Sequence, residues 1–168
     1  MLLSVLLAAV LQVAEVALPT GYQGITWGMT VEEVKNRVEV HKAGEGSEFG
    51  YADHLETDPE VYVRSTSDKK IEYYFFKGKL YKIYVVYGRE VSTQAFYLDL
   101  IDKAQEQYGN AQSHYQENVF GILVIHAKWD DGKSIMDLRS GAGYVYQVLI
   151  DKAAQKEKDL HQQRKRSI

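Results

Sequence analysis

Lys70-Ile71-Glu72-Tyr73-Tyr74-Phe75-Phe76-Lys77-Gly78-Lys79-Leu80-Tyr81-Lys82-Ile83-Tyr84-Val85-Val86-Tyr87-Gly88 is the stretch that decides the fold. Two runs rich in aromatic and β-branched residues flank Lys77-Gly78, and glycine accepts the positive φ that a two-residue hairpin turn demands. Residues 70–77 and 79–88 are therefore expected as one antiparallel hairpin. A two-residue loop sets Tyr81, Lys82 and Ile83 on alternating faces that are both partly apolar, a conflict that a bulge near Leu80 would relieve. Five of the 13 tyrosines crowd this hairpin: Tyr73, Tyr74, Tyr81, Tyr84 and Tyr87. Successive strand residues point to opposite faces, so these rings cannot all be buried on one side. Either the second face packs on a helix or meets water, or it is a Tyr-rich binding surface or dimer edge, because rigid amphipathic rings give contact area at low entropy cost. The five tyrosines are the candidate binding residues on this reading.

Outward from the hairpin the pattern alternates. Residues 60–66 form a preceding strand, and Gly-rich turns at Asp130-Asp131-Gly132 and at Ser140-Gly141-Ala142-Gly143 separate three later ones, near 119–129, 133–139 and 143–150. Thr30 followed by Glu33 is a capping box, and Val31, Val34 and Val38 mark one face of a short helix over 31–38. Residues 91–108 read as a longer helix, with Phe96, Leu100, Ile101, Ala104 and Tyr108 on one stripe, Ser92 or Thr93 at its start and Gly109 at its end. Residues 42–59 read as a polar, irregular loop. Short connections favour antiparallel neighbours, so the expected class is α+β: an antiparallel sheet with helices packed on one face, arranged as two helix-plus-three-strand halves. Residues 21–150 make a single domain, and 151–168 a charged tail, helical at first and then frayed.

Residues 2–18, interrupted only by Ser4, Gln12 and Glu15 and closed by Pro19, form an apolar run at the lower edge of what spans a bilayer. Residues 1–20 are therefore expected as a cleaved export signal, which places the protein in the periplasm or outside the cell. An uncleaved membrane anchor and a buried core helix are the alternatives. No Lys or Arg precedes the run.

The 168 residues carry a net charge of −3, with six basic and three acidic residues concentrated in the tail. An acidic body argues against nucleic-acid binding by phosphate neutralisation. Without cysteine there is no disulfide, thiolate zinc site, cysteine nucleophile or lipid-modified N-terminal cysteine. His41, His54, His114, His126 and His161 show no metal-ligand spacing, and the acidic run from Tyr51 to Glu60 lacks the calcium-loop pattern, so neither a metal nor another cofactor is expected. His126 reads as a hydrogen-bonded, half-buried strand histidine. Asp130-Asp131 reads as turn chemistry rather than an acid/base pair. No nucleophile elbow, phosphate-binding loop or dinucleotide fingerprint is present, and no enzyme is expected.

Trp27-Gly28-Met29-Thr30-Val31-Glu32-Glu33-Val34, followed by Tyr74-Phe75-Phe76-Lys77-Gly78-Lys79-Leu80-Tyr81, resembles a pattern in small exported bacterial domains. It is loosely similar to the small lipoprotein of the outer-membrane barrel-assembly machinery and to secreted β-lactamase inhibitor proteins. The chain has Asn36-Arg37-Val38 where the lipoprotein family places Gly-Pro, and it lacks that family's lipidated cysteine and the inhibitors' disulfides. The resemblance implies export and a helix-plus-sheet fold. Taken with the tyrosines, the expected function is an exported, non-enzymatic domain that binds a protein or envelope component. Two further readings remain: a small-ligand protein or enzyme with its site near the 42–59 loop, and a membrane-tethered structural domain.

Overall fold

The computed structural model describes residues 16–43 and 60–167. Its elements are β1 (Gly21–Tyr22), β2 (Ile25–Thr26), α1 (Val31–Lys35), β3 (His41–Lys42), β4 (Glu60–Ser65), β5 (Lys69–Phe76), β6 (Lys79–Tyr87), α2 (Gln94–Tyr108), β7 (Ser113–Val119), β8 (Ile122–Asp130), β9 (Ser134–Gly141), β10 (Tyr144–Asp151) and α3 (Lys152–Arg166). The architecture is α+β. β1 and β2 form a small hairpin, and the other eight strands make one antiparallel sheet in the order β3-β4-β5-β6-β10-β9-β8-β7.

The β5–β6 hairpin forms where the aromatic runs place it. Lys77 and Gly78 both have positive φ, as a type I′ turn requires. Opposite Tyr74 and Phe75 stand Lys82 and Leu80, leaving Tyr81 as the extra residue of a bulge. That slip lets Leu80 and Ile83 serve one face and Tyr81 the other. Thr30 caps α1: its backbone N–H donates to Glu33 Oε2 at 2.7 Å, and Glu33 N–H donates to Thr30 Oγ1 at 3.2 Å. α1 is shorter than its valine pattern suggests and closes at Asn36. α2 starts at the Thr93 cap and ends at Gly109, whose φ of 76° suits glycine.

Three expectations are corrected. The second half has four strands rather than three, because residues 113–119 pair with 122–130 through Phe120-Gly121, both at positive φ. Counting β3, each half is a helix followed by a four-strand meander, and the last strands of the two, β6 and β10, meet at the sheet's centre. The helices do not share one face. Val34 of α1 and Tyr97, Ile101 and Ala104 of α2 pack with Ile71, Tyr73, Phe75, Ile83 and Trp129, whereas Ala154 of α3 packs on the opposite set, with Tyr74, Tyr81 and Tyr84. Finally, the tail is helical as far as Arg166, started by Asp151, whose carboxylate accepts from the Ala153 and Ala154 N–H groups.

Leu18 is also buried in the α1/α2 core, and its N–H donates to Asp131 Oδ2 at 2.8 Å. Trp129 ties α2 to the sheet by donating from Nε1 to the Gly109 carbonyl at 2.8 Å. No described helix is long and apolar enough to cross a membrane.

Candidate functional site

The structure divides the five candidate tyrosines between two cores. Tyr73 and Tyr87 lie on the α1/α2 side, and Tyr74, Tyr81 and Tyr84 on the α3 side. All five are buried, none more than 8% exposed. The expectation of an open Tyr-rich face is therefore corrected: a hairpin in the middle of a sheet with helices on both faces gives its rings to packing. Their polar ends are also engaged. Tyr74 Oη donates to Glu72 Oε2 at 2.6 Å, the Lys70 ammonium sits 2.6 Å from Glu72 Oε1, and Lys82 Nζ lies 4.6 Å from the Tyr74 ring centre. Lys158 of α3 lies over Tyr81. Burial pushes the phenols of Tyr73 and Tyr87 up, so both stay neutral throughout the physiological range.

A buried polar cluster in the second half is built on β7, β8 and β9, where the register lines up Tyr115, His126 and Arg139. His126 Nδ1 lies 3.2 Å from Asp137 Oδ2, and Arg139 Nε donates to the same oxygen at 2.8 Å. Its Nε2 is 2.9 Å from Glu117 Oε1 but out of hydrogen-bonding alignment. Tyr115 stacks on the imidazole, ring centres 4.3 Å apart and 12° from parallel. A carboxylate-oriented imidazole is the core of many general-base sites. Here the ring is 1% exposed and roofed by Tyr115, so the cluster as built ties three strands together and offers no path for a substrate. The sequence suggested a hydrogen-bonded histidine, and it is more deeply buried than expected.

Asp130 and Asp131 also do structural work. Asp130 holds Lys152 at 2.8 Å, and Asp131 accepts from the Lys133 and Ser134 N–H groups as well as from Leu18. Of the 42–59 loop near which the alternative ligand site was placed, Lys42 belongs to β3 and residues 44–59 lie outside the described residues. Among the described residues no group of three His, Asp or Glu side chains could hold a metal ion. A groove of about 280 Å³ runs beside α3, between Ile135, Lys152, Lys156 and Leu160.

The surface that sequence reasoning missed is the β7–β8 hairpin. Phe120 at its tip is 83% exposed, and Leu123 is 55% exposed. Ile125 and Tyr115 are exposed too, Ile125 on the side of Ala127 and Trp129, Tyr115 on the side of His126. Phe120 has φ 51°, a conformation that bulky residues rarely adopt. β7 itself is the edge of the sheet. Its sequence, Ser-His-Tyr-Gln-Glu-Asn-Val, has no apolar alternation to announce a strand. The available signal was Phe120-Gly121, an aromatic residue where Asn or Asp would suit the turn.

The chain matches no known family model, and neither a curated protein nor a solved structure is significantly similar to it.

Proposed function

We propose that this chain is an exported, non-enzymatic domain that binds a protein of the cell envelope, and that its contact surface is the β7–β8 hairpin rather than the tyrosines of β5–β6. The observation that carries this is Phe120: a large apolar side chain in a strained turn conformation, almost fully in water, at the tip of a hairpin that also exposes Leu123 and Ile125 on one face and Tyr115 on the other. The backbone strain costs stability and the exposed ring returns almost none of it by burial, and such residues concentrate where function requires them. Export follows from the apolar run at 2–18 and from the resemblance to exported domains. Leu18 packs in the core and its N–H is bonded to Asp131, which argues against the expected boundary at residue 20 and for a leader that ends before Leu18.

The test is capture of envelope proteins on the immobilised chain, compared with Phe120→Asn and Leu123→Lys variants. Loss of a specific captured protein in both variants, with folding unchanged, supports the reading; undiminished capture overturns it. Export is tested separately by cell fractionation and intact mass. A processed species beginning no later than Leu18 in the periplasm or medium is expected, and a full-length product overturns cleavage.

A further inference from the structure

We propose that strand β7 pairs with β7 of a second copy of this chain, antiparallel about a two-fold axis through Gln116, so that two β7–β8 hairpins are presented side by side. The proposal rests on the reading of this hairpin as a contact surface, and it names what lies against the hairpin's edge.

The two ends of the sheet differ. β3, at one end, is two residues long, and a short edge offers little backbone to a stray strand. β7, at the other end, presents seven residues, pairs with β8 in unbroken register from Ser113 to Val119, and contains neither proline nor lysine. It therefore has none of the usual protections of a sheet edge: shortness, a bulge, proline or an outward lysine. Its one acidic residue, Glu117, lies beside His126 on the sheet face and does not guard the edge. An unguarded, regular, seven-residue edge is a template for another strand.

The sequence of β7 selects its own copy. With the axis at Gln116, the midpoint of Ser113–Val119, all seven residues find partners. Tyr115 then faces Glu117 of the second copy, His114 faces Asn118, Ser113 faces Val119, and the neutral Gln116 faces itself. No like charges oppose one another. Moving the axis one residue to Glu117 would set two carboxylates face to face, which cross-strand pairing disfavours. Past Val119, Phe120 falls beside Gln112 at the start of the other copy's β7, and its exposed ring gains a neighbour.

The chain has no cysteine, so single-cysteine variants of the full chain report the pairing directly. Under a short thiol cross-linker, Gln116→Cys is expected to give a covalent dimer. His114→Cys alone is not, because residue 114 lies four positions, about 13 Å, from its own copy. A mixture of His114→Cys and Asn118→Cys is expected to cross-link. Sedimentation of the unmodified chain should show a concentration-dependent dimer, weakened at least tenfold by Gln116→Lys, which sets two ammonium groups opposite one another, and little changed by His114→Lys, which faces Asn118. A monomer at all concentrations overturns the proposal, as does a dimer in which Gln116→Cys fails to cross-link. Capture through Phe120 is read on a different variant, so loss of self-pairing with capture retained sinks only this proposal. Capture undiminished by Phe120→Asn and Leu123→Lys, with cross-linking retained, sinks only the function proposed above.

Discussion

Two hairpins of this chain carry aromatic residues, and they use them in opposite ways. β5–β6 holds five tyrosines and two phenylalanines, all buried, because it lies inside the sheet with α2 on one face and α3 on the other. β7–β8 holds far fewer, yet Phe120 and Tyr115 are exposed because the hairpin ends the sheet. Aromatic density along a sequence therefore reports demand for core, and exposure is set by a hairpin's place in the strand order.

The sharpest way to break this contrast is to truncate a ring in each hairpin. Tyr73→Ala should cost about 3–5 kcal/mol in chemical denaturation, the range for large aromatic side chains removed from a core. A loss below about 1 kcal/mol would mean that β5–β6 is not core. Removing the anchor between β8 and β9 comes next. Asp137→Ala leaves buried His126 without its Nδ1 partner and strips Arg139 of its carboxylate, and should cost about 2–3 kcal/mol by the same measurement. Recovery of most of that loss by adding His126→Phe would assign it to the unpaired imidazole.

The third change runs the other way. Phe120→Asn should leave stability unchanged or raise it by up to about 1 kcal/mol, because asparagine tolerates the left-handed conformation better than phenylalanine. Destabilisation beyond about 1 kcal/mol would show that Phe120 packs within its own chain.

The smallest effect concerns pH. Burial pushes Asp130 and Asp131 up, but Lys152 and the Gly132 N–H at the first, and the Ser134, Leu18 and Lys133 N–H groups at the second, outweigh it and hold both below the ordinary 3.8. Each folded-state value is depressed, so the stability these carboxylates contribute is complete above about pH 4 and fades as pH falls through the lowered values. Both are largely solvent-screened, which keeps the effect under about 1 kcal/mol. Thermal melts from pH 5 to 2 should show Asp131→Ala losing less stability than the parent. Identical pH slopes would contradict this assignment.

Much of the fold was legible. Period-two aromatic runs about Lys77-Gly78, the Thr30/Glu33 capping box and the stripe ending at Gly109 each state a local preference that tertiary contacts reinforce, and the elements appear close to where those signals put them. β7 was not legible, because an edge strand wet on both faces needs no apolar alternation. Of the site, only His126 as a hydrogen-bonded strand residue could be read beforehand.

The sequence alone thus determined the α+β class, the turns at Lys77-Gly78, Gly132 and Ala142-Gly143, the bulge region near Leu80, the Thr30 cap of α1 and the Gly109 end of α2, since these depend on side chains within a few residues of one another. Tertiary structure alone decided that β6 meets β10, that α3 takes the face opposite α1 and α2, that the tyrosines are core, and that β7 is left at the edge. Those outcomes depend on which strands become neighbours across 60 or more residues of chain, as in the pairing of Val85 with Gln147, and local patterns carry no record of which neighbour a strand will find.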